Sequence, residues 1–382
     1  MMVSDLRFGK SYLIPETTER HSKQMFRILF LFLLFLLLSI AAVSGGGYWL
    51  YKNHLTAPLP LQKDLHYTVE SGATLHQIAA DLRAQGLLNY PTALAWVTLA
   101  RYEKRAHLIK LGEYLIPKSM TPQQLLDILI AGKTIQYSLS FPEGWNFRQL
   151  MAAVRKHPKI VQTLGEIDNQ TIMAKLGWGE MHPEGRFFPD TYLFPTGTTD
   201  VEFLQRAYKM MEKELMAAWE NRGDDLPFNT PYEALILASI IEKETGVAEE
   251  RPLIASVFVQ RLKKNMLLQT DPTVIYALGN AFDGNIRKQD LKVKNPYNTY
   301  VNKGLPPTPI AMPGRAALQA AVNPVDSQAL YFVAKGDGSH YFSETYREHR
   351  CAVIEFQLKE KSPRRYRSQC RKYPSCAVCR RP

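Results

Sequence analysis

Two glutamates stand two residues apart at the end of an apolar run, Glu242 and Glu244 in Tyr232-Glu233-Ala234-Leu235-Ile236-Leu237-Ala238-Ser239-Ile240-Ile241-Glu242-Lys243-Glu244-Thr245-Gly246. The run is apolar on nearly all sides, which predicts a buried helix whose charges arrive only in its last turn. Gly246 is expected in the left-handed conformation that stops such a helix, leaving both carboxylates beside unsatisfied carbonyls at the negative end of the dipole. Burial and the dipole both disfavour ionisation there, so a carboxyl in this place stays protonated near neutral pH, as a general acid requires. Solvent-facing charges at a frayed helix end, paired with Lys243, are the plainer alternative. The two glutamates lie about 200° apart around a helix, so only one can face a given groove.

The stretches that follow have the polar and aromatic character of a sugar site. Arg251–Leu262 reads as an amphipathic helix, and Leu267-Leu268-Gln269-Thr270-Asp271-Pro272-Thr273-Val274-Ile275-Tyr276-Ala277 starts another behind an Asp cap. Then come Asn295-Pro296-Tyr297-Asn298-Thr299-Tyr300, Gly304-Leu305-Pro306-Pro307 and Pro309-Ile310-Ala311-Met312-Pro313-Gly314. Upstream, Pro183–Pro195 is rich in turns and aromatic residues and carries Glu184 and Asp190. Rigid loops of this kind offer hydrogen bonds to hydroxyls and flat rings to sugar faces. They supply the candidate substrate contacts: Glu184, Asp190, Gln269, Thr270, Asp271, Tyr297, Asn298 and Tyr300. The body holds no clustered His/Cys ligand set, so no metal or other cofactor is expected.

These residues need a body to hold them, and 382 residues with 46% hydrophobic and 22% charged side chains can form two or more domains. The net charge of +11 sits at the ends. Residues 1–27 carry five Lys/Arg against three Asp/Glu and residues 361–382 carry eight against none, leaving about +1 for the middle. A phosphate-binding face needs clustered cations, so nucleic acid is not an expected partner. From Ile28 to Tyr51 no residue is charged, and a helix of that length spans roughly 36 Å. Arg7, Lys10, Arg20, Lys23 and Arg27 precede it and only Lys52 follows closely, which puts the amino terminus in the cytoplasm. Ala41-Ala42-Val43-Ser44-Gly45 would suit a signal peptidase, but the apolar run is too long for a signal peptide and an uncleaved anchor is expected. The four cysteines, Cys351, Cys370, Cys376 and Cys379, all fall late. One Cys-x-x-Cys without a second pair is a weak metal or redox signal, and the basic tail lacks apolar periodicity, so it reads as unstructured with incidental thiols.

After the stiff Ala57-Pro58-Leu59-Pro60, the chain reads as a strand at 65–69, helices at 75–85 and 92–102, a strand at 112–117 and a helix at 121–131. Tyr67-Thr68-Val69-x-Ser71-Gly72-x-Thr74-Leu75-x-x-Ile78-Ala79, with Leu111-Gly112-x-Tyr114-x-Ile116-Pro117, resembles a LysM module, a βααβ fold that binds N-acetylglucosamine-containing glycans. It departs from that pattern by an insertion of roughly twenty residues around Trp96. A strand follows at 135–141, then helices at 146–156 and 199–220.

The order EGRFFPDTY, ASIIEKETG, SVFVQRL, LQTDPTVIYALG, NPYNTY and GLPPTPIAMPG resembles that of the endolytic murein transglycosylases, the YceG-like family. The resemblance implies cleavage between N-acetylmuramic acid and N-acetylglucosamine in nascent peptidoglycan glycan strands, leaving a 1,6-anhydro-muramyl end and terminating elongation. It places the catalytic acid on Glu244, and Glu244-Thr245-Gly246 also looks like the helix end of lysozyme-like transglycosylases. It further implies an inner-membrane location, a periplasmic catalytic domain and partnership with peptidoglycan synthases. The basic cysteine-bearing tail has no counterpart in that pattern.

The expected fold class is therefore α+β: one N-terminal transmembrane helix, a LysM-like βααβ subdomain, and a mixed α+β catalytic domain with a lysozyme-like catalytic helix. The expected boundaries are a cytoplasmic segment at 1–27, the membrane helix at 28–51, a linker at 52–64, the LysM-like subdomain at 65–134, the catalytic domain at 135–358 and the tail at 359–382. Two rival functions are a non-catalytic peptidoglycan-binding scaffold and a hydrolase pairing Glu244 with Asp271 or Glu184.

Overall fold

The structure, a computed structural model, describes residues 16–70, 72–359 and 362–380. Most of the expected cytoplasmic segment, including Arg7 and Lys10, lies outside the described residues, as do Ser71 of the expected turn and residues 360–361 and 381–382 of the tail. The chain is mixed α+β and divides into two units, 1–135 and 136–382.

In the first unit, helix α1 (Glu16–Leu50) runs into a π-helical turn at Tyr51–Leu55. The stretch Met25–Leu55 is long and apolar enough to cross a membrane, and none of its most apolar window is buried against protein. The segment expected to be a linker is partly packed. Leu55 and Leu59 join the core, the Leu59 N–H donates to the Met120 carbonyl at 2.8 Å, and His54 Nδ1 lies 2.9 Å from Thr92 Oγ1. The reason is that Pro58 and Pro60 hold the chain extended, which lays Leu59 and the partly buried Leu61 against the core.

Strand β1 (Leu65–Val69) pairs antiparallel with β2 (Gly112–Ile116), Tyr67 opposite Tyr114. Helices α2 (Leu75–Ala84) and α3 (Tyr90–Tyr102) fill the connection, and α4 (Pro122–Ala131) follows. Thr74 with Gln77 and Thr121 with Gln124 form capping boxes, and Asn89 caps α3. The insertion around Trp96 contributes core: its ring is fully buried and Nε1–H donates to the Pro122 carbonyl at 2.7 Å.

The second unit opens with β3 (Gln136–Ser140), α5 (Phe147–Lys156) and α6 (Asn169–Leu176). Next comes β4 (Thr191–Pro195), which pairs antiparallel with β3, and then the long α7 (Asp200–Glu220). Helix α8 (Pro231–Glu244) is the centre of the unit, with every residue from Ala234 to Ile241 buried. It packs against α7, α9 (Arg251–Lys263), α10 (Asp271–Leu278) and α11 (Arg315–Val322). That enclosure is why its sequence is apolar all round. Midway along it, the buried Ser239 hydroxyl donates to the Ile236 carbonyl and accepts the Ile310 N–H at 3.0 Å.

Strands β5 (Tyr331–Ala334) and β6 (His340–Ser343) form a third antiparallel pair, followed by α12 (Tyr346–Val353). The tail differs from expectation. It holds α13 (Pro363–Lys372) and α14 (Ala377–Arg380), tied by disulfides Cys351–Cys376 and Cys370–Cys379. Cys376 and Val378 bury with Ile354, and Leu358, Tyr366 and Tyr373 pack against them. So small an apolar cluster is of the kind that disulfides reinforce in small domains, and periodicity alone does not reveal it.

Candidate active site

Helix α8 ends at Glu244, but not by the left-handed glycine stop its sequence implied. Thr245, at φ −141° and ψ 138°, leaves the helix in extended conformation, so Gly246 does not supply a left-handed stop. Beyond it the Thr245 hydroxyl accepts the Val247 N–H at 2.9 Å. This exit sets the two glutamates in different surroundings.

Glu242 faces protein. One oxygen accepts the Gly314 N–H at 3.0 Å and the other lies 3.8 Å from Arg251 Nη2. Glu244 lines a cleft of about 330 Å³ with Arg261, Gln269, Asp271, Tyr300, Tyr331, Tyr346 and His349 among its walls. The Thr270 hydroxyl donates to Glu244 Oε1. Burial pushes the Glu244 carboxyl up to about 7, aided by the nearby Asp271 charge and opposed by the Thr270 hydrogen bond.

The loop before α10 holds this arrangement. Thr270 is the residue before the helix and its side chain makes no capping bond, being spent on Glu244. Asp271, expected as the cap, is the first helical residue and accepts the Tyr300 hydroxyl at 2.6 Å. The Thr270 N–H donates to Thr299 Oγ1 at 3.1 Å, and the Gln269 N–H donates to the Thr299 carbonyl at 3.1 Å. Gln269 takes φ 51°, a left-handed conformation that is uncommon for a non-glycine residue and concentrates at functional loops. Buried Arg261 braces both sides, donating to the Leu268 carbonyl at 2.7 Å and, beside β5, to the Leu330 carbonyl at 2.7 Å.

An aromatic wall stands in the same cleft. Tyr331 and His349 stack with centroids 5.3 Å apart at 21°, and Tyr346, 57% exposed, meets the Tyr331 ring edge-on at 6.0 Å. Arg261, Tyr331, Tyr346 and His349 were not anticipated from sequence. The aromatic and β-branched run Tyr331-Phe332-Val333 suits a strand but says nothing of which site it borders.

The remaining candidates lie elsewhere. Glu184 is buried in a separate cleft of about 510 Å³, where it accepts the Phe147 N–H at 2.9 Å and the Tyr276 hydroxyl at 3.0 Å. Burial pushes its carboxyl up to about 7 as well. Gly185 positions it: φ is 79°, and a Cβ there would collide with the Pro309 ring. Tyr297 packs its ring 4.9 Å from Tyr276 and shares a hydrogen bond with Thr308 at 2.9 Å. Asn298 is wholly buried, its amide donating to the Val293 carbonyl at 2.8 Å and accepting the Tyr300 N–H at 3.0 Å, so it holds the loop rather than facing a cleft. Exposed Asp190 lines a third, open groove beside Glu143.

Residues 67–355 match the YceG-like family. The chain belongs to the YceG-like family. A relative from Bacillus subtilis (strain 168), named endolytic murein transglycosylase, is 33% identical over 330 residues, covering 80% of this chain and 89% of that protein. One of the same name from Streptococcus pneumoniae serotype 2 is 28% identical over 362 residues, covering 85% of this chain and 65% of that longer protein. The crystal structure of a yceG-like protein from Listeria monocytogenes is 30% identical, covers 76% of this chain and 98% of that one, and aligns with a TM-score of 0.48. The family match takes in the Glu184 and Glu244 clefts of this YceG-like chain and stops within the turn after α12.

Proposed function

We propose that this chain is a peptidoglycan lytic transglycosylase that cuts the MurNAc–GlcNAc bond within nascent strands, with Glu244 as its catalytic acid. The observation that carries the reading is the Glu244 carboxyl itself: pushed up to about 7, held by a hydroxyl, and facing a cleft with an aromatic wall. The relatives' name supplies the substrate class.

The chemistry needs one carboxyl. Protonated Glu244 gives its proton to the glycosidic oxygen as the C1–O bond breaks through an oxocarbenium-like state. The resulting carboxylate takes the proton from the muramyl C6 hydroxyl, and O6 closes on C1 to form the 1,6-anhydro ring. Water is not consumed, Glu244 ends as it began, and the cut strand cannot be extended from its anhydro end. A pKa close to the working pH suits a group that must both give and take the proton.

The apolar α1 supports an inner-membrane anchor with the body on the periplasmic side, and the β1–α2–α3–β2 unit suits a LysM-like glycan contact. Peptidoglycan synthases, which make the nascent strand, are the partners this placement favours.

Asp271, in the same cleft as Glu244, favours a second reading, a hydrolase with two carboxylates. Digestion of glycan strands in heavy-oxygen water separates them. The lytic reaction leaves products without label; label at the new muramyl end would overturn it.

A further inference from the structure

The reaction above leaves the larger cleft without a role. Lys243 precedes Glu244 on α8 and Pro272 follows Asp271 on α10, so this cleft and the acid's cleft share one turn of each helix. Consecutive helical residues point about 100° apart, which turns Lys243 away from its neighbour's cleft. Two exposed cations stand in the larger cleft, Arg148 of α5 and Lys243. Among the described residues neither forms an ion pair: Lys243 Nζ donates to the Gly144 carbonyl at 3.2 Å and Arg148 to the Asn280 side-chain carbonyl. The cleft's own carboxyl, Glu184, already has protein donors on both oxygens. Phe282 and Ile275 add an apolar wall.

Two exposed cations outside any ion pair among the described residues, attracted only at longer range by Glu184 and Glu242 and lying above apolar surface, fit a carboxylate-bearing peptide. Because Lys243 adjoins the acid, the ligand must hang from the sugar whose bond breaks. We propose that this cleft binds the stem peptide attached to the lactyl group of muramic acid, and so selects strands that carry stems. The inference rests on the transglycosylase reading for its substrate, and it gives Arg148 and Lys243 the task of holding stem carboxylates.

The test uses the full chain in detergent, with glycan strands that keep their stems and the same strands stripped by an amidase. Arg148→Glu should reduce the preference for stem-bearing over stripped strands about tenfold or more, the size expected for losing a hydrogen bond to a charged group. Arg148→Lys should recover part of it. Equal effects of Arg148→Glu on both substrates, or none on either, would overturn the assignment. Direct binding keeps this separate from the activity: N-acetylmuramoyl-tripeptide should bind more tightly than N-acetylmuramic acid, and Arg148→Glu should abolish the difference. If the wild type cuts neither strand yet shows that difference, the transglycosylase reading falls and the cleft stands. If it binds both ligands alike, the cleft assignment falls.

Discussion

The Thr270 hydroxyl gives the sharpest handle on the proposed acid, because it donates to Glu244 and makes no capping bond to α10. Thr270 makes no side-chain capping bond to α10, and its backbone N–H reaches Thr299 whatever side chain it carries. Thr270→Val keeps the shape and removes only the hydroxyl donor. A hydrogen bond to a charged group contributes about 1.5–3 kcal/mol. At about 1.4 kcal/mol per pKa unit, its loss should push the Glu244 carboxyl up by roughly one to two units beyond its position near 7. In a pH–rate profile of strand cleavage, the alkaline limb, where the acid loses its proton, should move up by that amount. Asp271→Asn should move the same limb down, because the Asp271 charge raises the Glu244 carboxyl. Asn retains an acceptor for the Tyr300 hydroxyl. Shifts of opposite sign are the expected result. An unmoved limb in both variants, with folding intact, would mean that Glu244 is not the group whose ionisation limits the rate.

Leu59→Ala should destabilise the first unit by about 2–4 kcal/mol, read by urea unfolding, because Leu59 is buried in its core; a fragment starting at Leu61 should melt below one starting at Tyr51, and equal stability would return 52–64 to the status of a free linker. Replacing both Cys351 and Cys376 by Ser should cost on the order of 3 kcal/mol from loop closure. It should also open α13 to limited proteolysis and slow cleavage, since α12 carries both Cys351 and the cleft residues Tyr346 and His349. Unchanged proteolysis and rate would mean that the tail does not brace that wall.

The local pattern of this chain is readable because caps, prolines and apolar periodicity act within a few residues. Thr74, Asn89 and Thr121 start their helices as such residues do, and the apolar run from Ala234 to Ile241 announced the buried α8. What sequence could not carry was the meeting of distant segments. Glu244 shares its cleft with Asp271 and Tyr300, whose loop follows within sixty residues, but also with Tyr331 and His349, which arrive through β5 and α12. Glu184, alike in motif and in its raised carboxyl, faces a different cleft, and Asn298 looks like a ligand residue yet spends its amide inside its own loop. The tail's structure is not legible in its sequence because two disulfides and a handful of side chains replace the periodic apolar face that a larger core would display.

The measurement that bears most directly on the central claim is the yield of anhydro-muramyl ends from intact strands, by mass spectrometry, for Glu244→Gln beside the wild type. Gln keeps the size of Glu and cannot give the proton, so the variant should fold and its yield should drop by about 100-fold or more. Glu242→Gln should be milder, because Glu242 is engaged by Gly314 and Arg251 outside the cleft. Wild-type yield from a folded Glu244→Gln protein would contradict the assignment outright, and loss in Glu242→Gln alone would move the acid to the other carboxylate.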